Sequence, residues 1–131
     1  MAITVEQRQA INKGQQGELN AVVMYRMLAR RMKSERDVEA MTRLANDELR
    51  HAKVFRALSG DKLKPSRLQG DFVCLLYRLL GRRRLFTILA NGEYSAYDKY
   101  VDLVEQFPEV GAVQQDEKKH GDALVALRDG S

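Results

Sequence analysis

The chain has 131 residues, of which 44% are hydrophobic and 31% charged, and its formal net charge is +4. That length suits a single domain over residues 1–131, large enough to bury a core without cross-links. The single cysteine, Cys74, excludes an internal disulfide framework and a cysteine-rich zinc site. No apolar run approaches the roughly 20 residues of a membrane span and no leader opens the sequence, so we expect a cytoplasmic protein.

Two amphipathic helices are predicted in the first half of the chain. Over residues 4–33, inward positions recur in alternating steps of four and three, and Glu18 occupies one of them. Ser34 can cap a second helix with the same rhythm, which carries Glu48 inward and ends at Gly60. Each helix therefore places one glutamate on its inner face.

A long connection follows these helices. Glycine and proline mark residues 60–71 as a loop, and the apolar segment Phe72 to Leu80 after it is predicted to form a short extra helix. The loop residues can span about 33 Å when extended, which is close to the length of a helical bundle.

Two more helices are predicted in the second half. The third covers about residues 83–106, with Glu93 inward, and Pro108 suits the first turn of the fourth. The fourth carries Glu117 inward and ends at Gly130. Tight turns within each half favour two antiparallel hairpins, so the sequence predicts an all-α four-helix bundle with one long crossover.

Both histidines of the chain follow the same motif, Asp-Glu-x-x-His, in NDELRH and QDEKKH. Each half also has a Gly-Glu pair before this motif, with a tyrosine seven residues after the glutamate. We interpret the repetition as an internal duplication about a pseudo-twofold axis. The repeated glutamates and tyrosines are Glu18 and Tyr25 in the first half, and Glu93 and Tyr100 in the second.

The repeated motif predicts a metal centre. Residues three apart share a helix face, so Glu48 and His51 can bind one ion together. Buried carboxylates without a counter-charge cost several kcal/mol each, whereas two divalent cations neutralise four of them. Oxygen and nitrogen ligands without thiolates suit iron or manganese, and zinc can also bind; we favour two iron ions for redox chemistry. The predicted ligands are Glu18, Glu48, His51, Glu93, Glu117 and His120.

Asp47 and Asp116 precede the glutamates of the two motifs. A metal-bound histidine usually donates its other ring N–H to an acceptor, so we predict hydrogen bonds from His120 to Asp47 and from His51 to Asp116. The alternative is that both aspartates are ordinary surface acids.

Tyr25 and Tyr100 have two possible roles at the predicted centre. They can hydrogen-bond to carboxylate ligands or carry an electron during oxidation. A tyrosine at such spacing is more often a core residue with a satisfied hydroxyl, and we favour that role.

The order Glu, Glu-x-x-His, Glu, Glu-x-x-His, between about Arg8 and Leu127, resembles that of the ferritin-like di-iron superfamily, nearest to its rubrerythrin branch. The segment LLYRLLGRRRLFTILANGEYSAYDKY is also similar to the rubrerythrin-type domain of some vacuolar iron transporter-like proteins. Demethoxyubiquinone hydroxylases share a similar glutamate and tyrosine pattern, and DELRH resembles di-iron monooxygenases. The resemblance implies that Glu48 and Glu117 bridge two irons, with Glu18 and Glu93 as terminal ligands and His51 and His120 on one iron each.

Two features depart from rubrerythrins. They carry a further glutamate three residues after the third-helix ligand, where this chain has Ala96, and they usually append a cysteine-rich rubredoxin module, which does not follow Ser131. The first departure puts their iron-shifting peroxidase mechanism in doubt for this chain.

The leading functional hypothesis is a di-iron oxidoreductase of ferroxidase or peroxidase type that oxidises ferrous iron with oxygen or peroxide, for iron handling or protection from oxidative stress. An alternative is a hydroxylase of an organic substrate, which would need an external electron donor and could have a lipid-facing entrance at residues 72–80. We favour a core or dimer-interface role for that segment.

A third alternative is a non-catalytic helical interaction module, with Arg82 to Arg84 touching nucleic acid or anionic lipid. No groove-reading motif accompanies these arginines, so a solvated helix start is favoured and no nucleic-acid partner is expected. The methionines and the apolar segment predict a homo-oligomer, with a dimer favoured.

Overall fold

The computed structural model describes residues 2–130, and these residues form helices and no strands, which confirms the all-α class. They divide into two compact units, one up to Cys74 and the other from Leu75 onward. None of the helices in this described part of the chain is long and apolar enough to cross a membrane. The helices are α1 (Val5–Ala29), α2 (Glu35–Ser59), α3 (Leu68–Leu80), α4 (Arg82–Lys99), α5 (Val101–Gln106) and α6 (Gly111–Arg128), with a 3-10 turn at Pro108–Val110.

Capping residues mark the start of α1 and both ends of α2, whereas α1 ends at Ala29, before the predicted end near residue 33. The Thr4 hydroxyl accepts a hydrogen bond from the Gln7 amide, and the Gln7 side chain accepts one from the Thr4 amide. At the start of α2, the Ser34 hydroxyl accepts a hydrogen bond from the Asp37 backbone amide. Gly60 ends α2 with a φ of 76°, a left-handed conformation that glycine adopts without steric cost.

Helices α1 and α2 form the first predicted antiparallel hairpin. The Arg8 guanidinium near the start of α1 donates to the Ser59 carbonyl at the end of α2, at 2.6 Å. Further along, Gly14 lies so close to the Phe55 ring that an added Cβ would be 3.0 Å from it. The residue numbers rise along α1 as they fall along α2, which defines the register of the hairpin.

The connection after α2 is held along α1 by polar contacts. Asp61 accepts hydrogen bonds from Arg8 and Asn12. The Asn20 side-chain oxygen accepts a hydrogen bond from the Ser66 backbone amide at 2.8 Å. The prediction of a loop up to residue 71 is wrong at its end, because α3 already begins at Leu68 and the helix takes in the last four residues assigned to the loop.

The extra helix predicted near residues 72–80 is present and longer than expected. Its inner side faces α1, where Gly70 lies against Met24 and Met27, and Val73 is also buried. Most of its other large apolar side chains are exposed, so the core alternative is wrong for this segment, while the dimer-interface alternative stays a prediction.

The second unit contains the other predicted hairpin, made by α4 and α6. The Arg82 guanidinium donates a hydrogen bond to the Leu127 carbonyl. At the other end of the pair, the side-chain amide of Gln114 donates to the Tyr97 carbonyl. Between them, the Tyr94 ring packs on Gly121. These contacts run in opposite directions along the two helices, which confirms an antiparallel pair.

The predicted third helix is not continuous. It breaks at Tyr100, whose backbone amide donates to the Ala96 carbonyl as α4 ends. The short α5 then follows, with Leu103 buried. The prediction that Pro108 occupies the first helical turn is confirmed, because it begins the 3-10 turn that leads into α6.

Candidate metal centre

The hairpin register of the first unit brings three predicted ligands together. Four residues beyond Gly14 on α1 is Glu18, and four residues before Phe55 on α2 is His51, so the contact between Gly14 and Phe55 sets these two side chains opposite each other. Glu48 lies one helical turn before His51. We call Glu18, Glu48 and His51 the first-half triad.

All three side chains of the first-half triad are buried, with at most 3% of each residue exposed. The Nδ1 atom of His51 lies 3.2 Å from Oε1 of Glu48 and 3.5 Å from Oε1 of Glu18. One imidazole nitrogen therefore faces two carboxylates inside the hairpin.

The second unit repeats this arrangement with Glu93 on α4 and with Glu117 and His120 on α6. We call these residues the second-half triad, and all three are buried. Nδ1 of His120 lies 3.7 Å from Oε2 of Glu93 and 3.7 Å from Oε1 of Glu117. The same ring nitrogen faces the same pair of carboxylates in both units, as an internal duplication predicts.

Each triad has the donor atoms of a metal site. Within each, one ligand atom from every residue lies within 4.8 Å of the others. One imidazole nitrogen and two carboxylates, without a thiolate, form a set that iron, manganese and zinc bind in proteins. A divalent cation would neutralise the two carboxylates of a triad. The structure thus contains buried clusters of acids and histidine that could hold metal ions.

Burial makes the first-half triad unfavourable as a set of bare charges. Loss of hydration, with a further contribution from the neighbouring Glu48 carboxylate, raises the pKa of Glu18 to about 8. The contact with His51 acts in the opposite direction but is the smaller effect. At neutral pH and without a cation, Glu18 therefore holds a proton.

The two aspartates of the motifs are half-buried rather than in bulk water. Asp47 accepts a hydrogen bond from Arg50 on the next turn of α2. The i, i+3 spacing of this acid and base could have been recognised in the sequence, but Arg50 was not predicted to take part. The hydrogen bonds predicted for Asp47 with His120 and for Asp116 with His51 would join the two units and stay a prediction.

The two repeated tyrosines are both buried. Tyr25 lies near the C-terminal end of α1 with 1% of its surface exposed. Tyr100 lies at the junction of α4 and α5 with 8% exposed. Burial of both rings agrees with the favoured packing role, while an electron-transfer role stays a prediction.

Comparison of the chain with protein-family models, with curated proteins and with solved structures finds no match to any of them. The resemblance to rubrerythrin-like proteins therefore stays a prediction, and the chemistry of the two triads rests on their own donor atoms.

Proposed function

We propose that this chain is a ferritin-like di-iron carboxylate protein that binds ferrous iron and oxidises it with oxygen or peroxide. The observation that carries the proposal is the duplicated triad, with the same ring nitrogen facing two buried carboxylates in each unit. In this proposal the residues of the two triads would hold two iron ions.

The burial of the triads supports a bound cation. A buried carboxylate that lacks a compensating charge loses several kcal/mol of hydration free energy. An apolar residue at the same position would avoid that loss, so an acid there indicates a ligand role. Four carboxylates match the charge of two divalent cations.

The donor set also fits a change of oxidation state. Anionic oxygen ligands stabilise the more highly charged ferric ion relative to the ferrous ion, because the attraction grows with the charge on the metal. When held by the triads, ferrous iron would supply the electrons, one from each ion, and oxygen or peroxide would accept them.

In this proposal, metal binding to the first-half triad is coupled to loss of the proton on the Glu18 carboxyl. Because the pKa of Glu18 is about 8, this carboxyl is largely protonated at neutral pH without metal. Cation binding needs the carboxylate, so loading must release this proton to solvent. Metal affinity is then expected to rise with pH until Glu18 is ionised.

The test is iron stoichiometry and oxidation in matched variants. Protein from iron-supplemented cells should contain two irons per chain. Protein loaded anaerobically with ferrous iron should consume oxygen or peroxide rapidly when the oxidant is then mixed in. We expect Glu48→Ala and Glu117→Ala to lose both properties. Glu39→Ala removes an exposed acid from the same helix as Glu48 and should keep them. Equal oxidation rates in Glu48→Ala and Glu39→Ala, or wild-type protein that binds no iron, would refute the proposal.

A further inference from the structure

One face of α3 is apolar and exposed. Four large apolar residues of α3 follow one another in steps of four, three and four, which aligns them on a single helical face. Their exposed fractions are 78% for Leu68, 60% for Phe72, 49% for Leu75 and 69% for Leu79. We call these four residues the α3 stripe. Large apolar side chains grouped in this way usually mark a surface that something else covers.

Packing on the other side of α3 fixes the stripe outward. Gly70 lies so close to α1 that an added Cβ would be 2.5 Å from the Met27 sulfur and 3.3 Å from the Met24 Cα. Val73 is buried next to it along the helix. The stripe cannot turn inward unless this contact is broken.

The basic charge of the protein is concentrated around the same helix. Residues 62–92 contain seven basic residues and one acid, Asp71, a net charge of +6. The other residues contain 15 basic and 17 acidic residues, a net charge of −2. The whole excess of positive charge therefore comes from the segment that carries the stripe. Its basic residues are Lys62, Lys64, Arg67, Arg78, Arg82, Arg83 and Arg84.

Several of these cations lie where they can flank the stripe. Arg67 immediately precedes α3 and Arg78 lies eleven residues further on, about three helical turns, so both lie towards the same side of α3. Both are exposed, as is Arg84 at the start of α4. Asp71 pairs with Arg67 at 3.4 Å, and Asp129 pairs with Arg83 at 3.3 Å. Both pairs are exposed, so they contribute little and the segment keeps a net positive charge.

We propose that α3 lies flat in the headgroup region of an anionic membrane, with the α3 stripe reaching the acyl chains and the arginines contacting lipid phosphates. An apolar face flanked by cations is the pattern of helices that bind in the plane of a bilayer. Thirteen residues extend about 20 Å, less than the roughly 30 Å hydrocarbon layer, so α3 lies along the surface.

Charge selects the membrane over a second copy of the chain. A twofold contact through α3 would bring the two basic segments together, and repulsion between like charges opposes it. An anionic bilayer offers both an apolar layer for the stripe and negative charge for its flanks. The proposal does not depend on iron, because the α3 stripe contains no triad residue.

Flotation of the full chain with vesicles tests this assignment. We expect binding to phosphatidylcholine vesicles that contain one-third phosphatidylglycerol, and much weaker binding to pure phosphatidylcholine. Phe72→Ser/Leu79→Ser should lower the partition coefficient at least tenfold, and each of Arg78→Gln and Arg84→Gln about fivefold at low salt. Val101→Ser alters an exposed valine on α5, 45% exposed, and should bind like wild type.

A gain-of-signal variant makes the test independent of any loss of folding. The chain has no tryptophan, so Phe72→Trp places the only indole on the stripe. Its emission should shift to the blue with anionic vesicles and be quenched by brominated lipids, with metal-free protein behaving in the same way.

Three outcomes would overturn the proposal. The first is wild-type protein that does not float with anionic vesicles, and the second is an unchanged Phe72→Trp spectrum. The third is a dimer, measured by light scattering, that Phe72→Ser/Leu79→Ser converts to a monomer in a protein that binds no vesicles. That last result would assign the stripe to a second copy of the chain.

Discussion

The protonation state of Glu18 gives a sharp test of the site in metal-free protein. The pKa of this carboxyl is about 8 in the fold, raised from 4.5 chiefly by burial and then by Glu48. The folded state therefore binds a proton more tightly than the unfolded state does. The resulting stabilisation is complete below about pH 4.5 and is lost as the pH rises through 8. Metal-free protein should be less stable at pH 8.5 than at pH 5.

The size of the effect follows from the shift. One pKa unit corresponds to about 1.4 kcal/mol, so a shift from 4.5 to about 8 sets an upper limit on the order of 5 kcal/mol. Relaxation around the ionised group reduces this value, and we expect a loss of a few kcal/mol between pH 5 and pH 8.5. Glu18→Gln keeps the shape of the side chain and removes the titration.

Urea unfolding followed by circular dichroism, with a chelator present, measures this loss. The difference between wild type and Glu18→Gln isolates the contribution of Glu18 from that of other titrating groups. Glu18→Gln should be more stable than wild type at pH 8.5, with a much smaller difference at pH 5. Glu39→Gln, an exposed acid on α2, should follow wild type at both values. Parallel pH profiles for wild type and Glu18→Gln would refute the account of this carboxyl.

Two further predictions concern a close helix contact and a hydrogen bond that holds the connection after α2. Gly121→Ala should lower stability by about 1–3 kcal/mol in urea unfolding, because the added Cβ would lie 2.5 Å from the Tyr94 ring. Gly92→Ala, with open space around the added Cβ, should instead raise it by up to about 1 kcal/mol, and equal changes would contradict this reasoning. Asn20→Ala should speed hydrogen exchange of the Ser66 amide and cost about 1 kcal/mol, since that amide donates to the Asn20 side chain. Unchanged exchange would show that Asn20 does not hold the loop.

The parts of this structure that depend on local chemistry could be predicted from the sequence. Ser34 and Gly60 mark the ends of α2 because a serine hydroxyl and a left-handed glycine act on the backbone next to them. Each Glu-x-x-His pair could be predicted in the same way, since residues three apart on a helix are neighbours wherever the helix lies.

Features that depend on distant contacts could not be predicted in this way. The helical rhythm continues through Tyr100, and only the structure reveals the break there. The apolar residues of α3 have the composition of a core segment, but burial needs a surface to pack against. The contact of Gly70 with α1 decides instead which side of α3 is buried, and that contact lies 43 or more residues away along the chain.

The two triads are difficult to explain as devices for stability. A buried acid and histidine stabilise a fold less than apolar side chains of similar size, because hydration is lost and only partly replaced. Each hairpin nevertheless places this unfavourable set on the same register, with one glutamate on its first long helix and Glu-x-x-His on the other. If the triads served only stability, other contacts would have to offset the lost hydration of the buried acids and histidine separately in each unit, although the two units differ in sequence. Cation binding would compensate it in each unit by the same means, since the atoms that make each triad costly to bury are those that bind a metal.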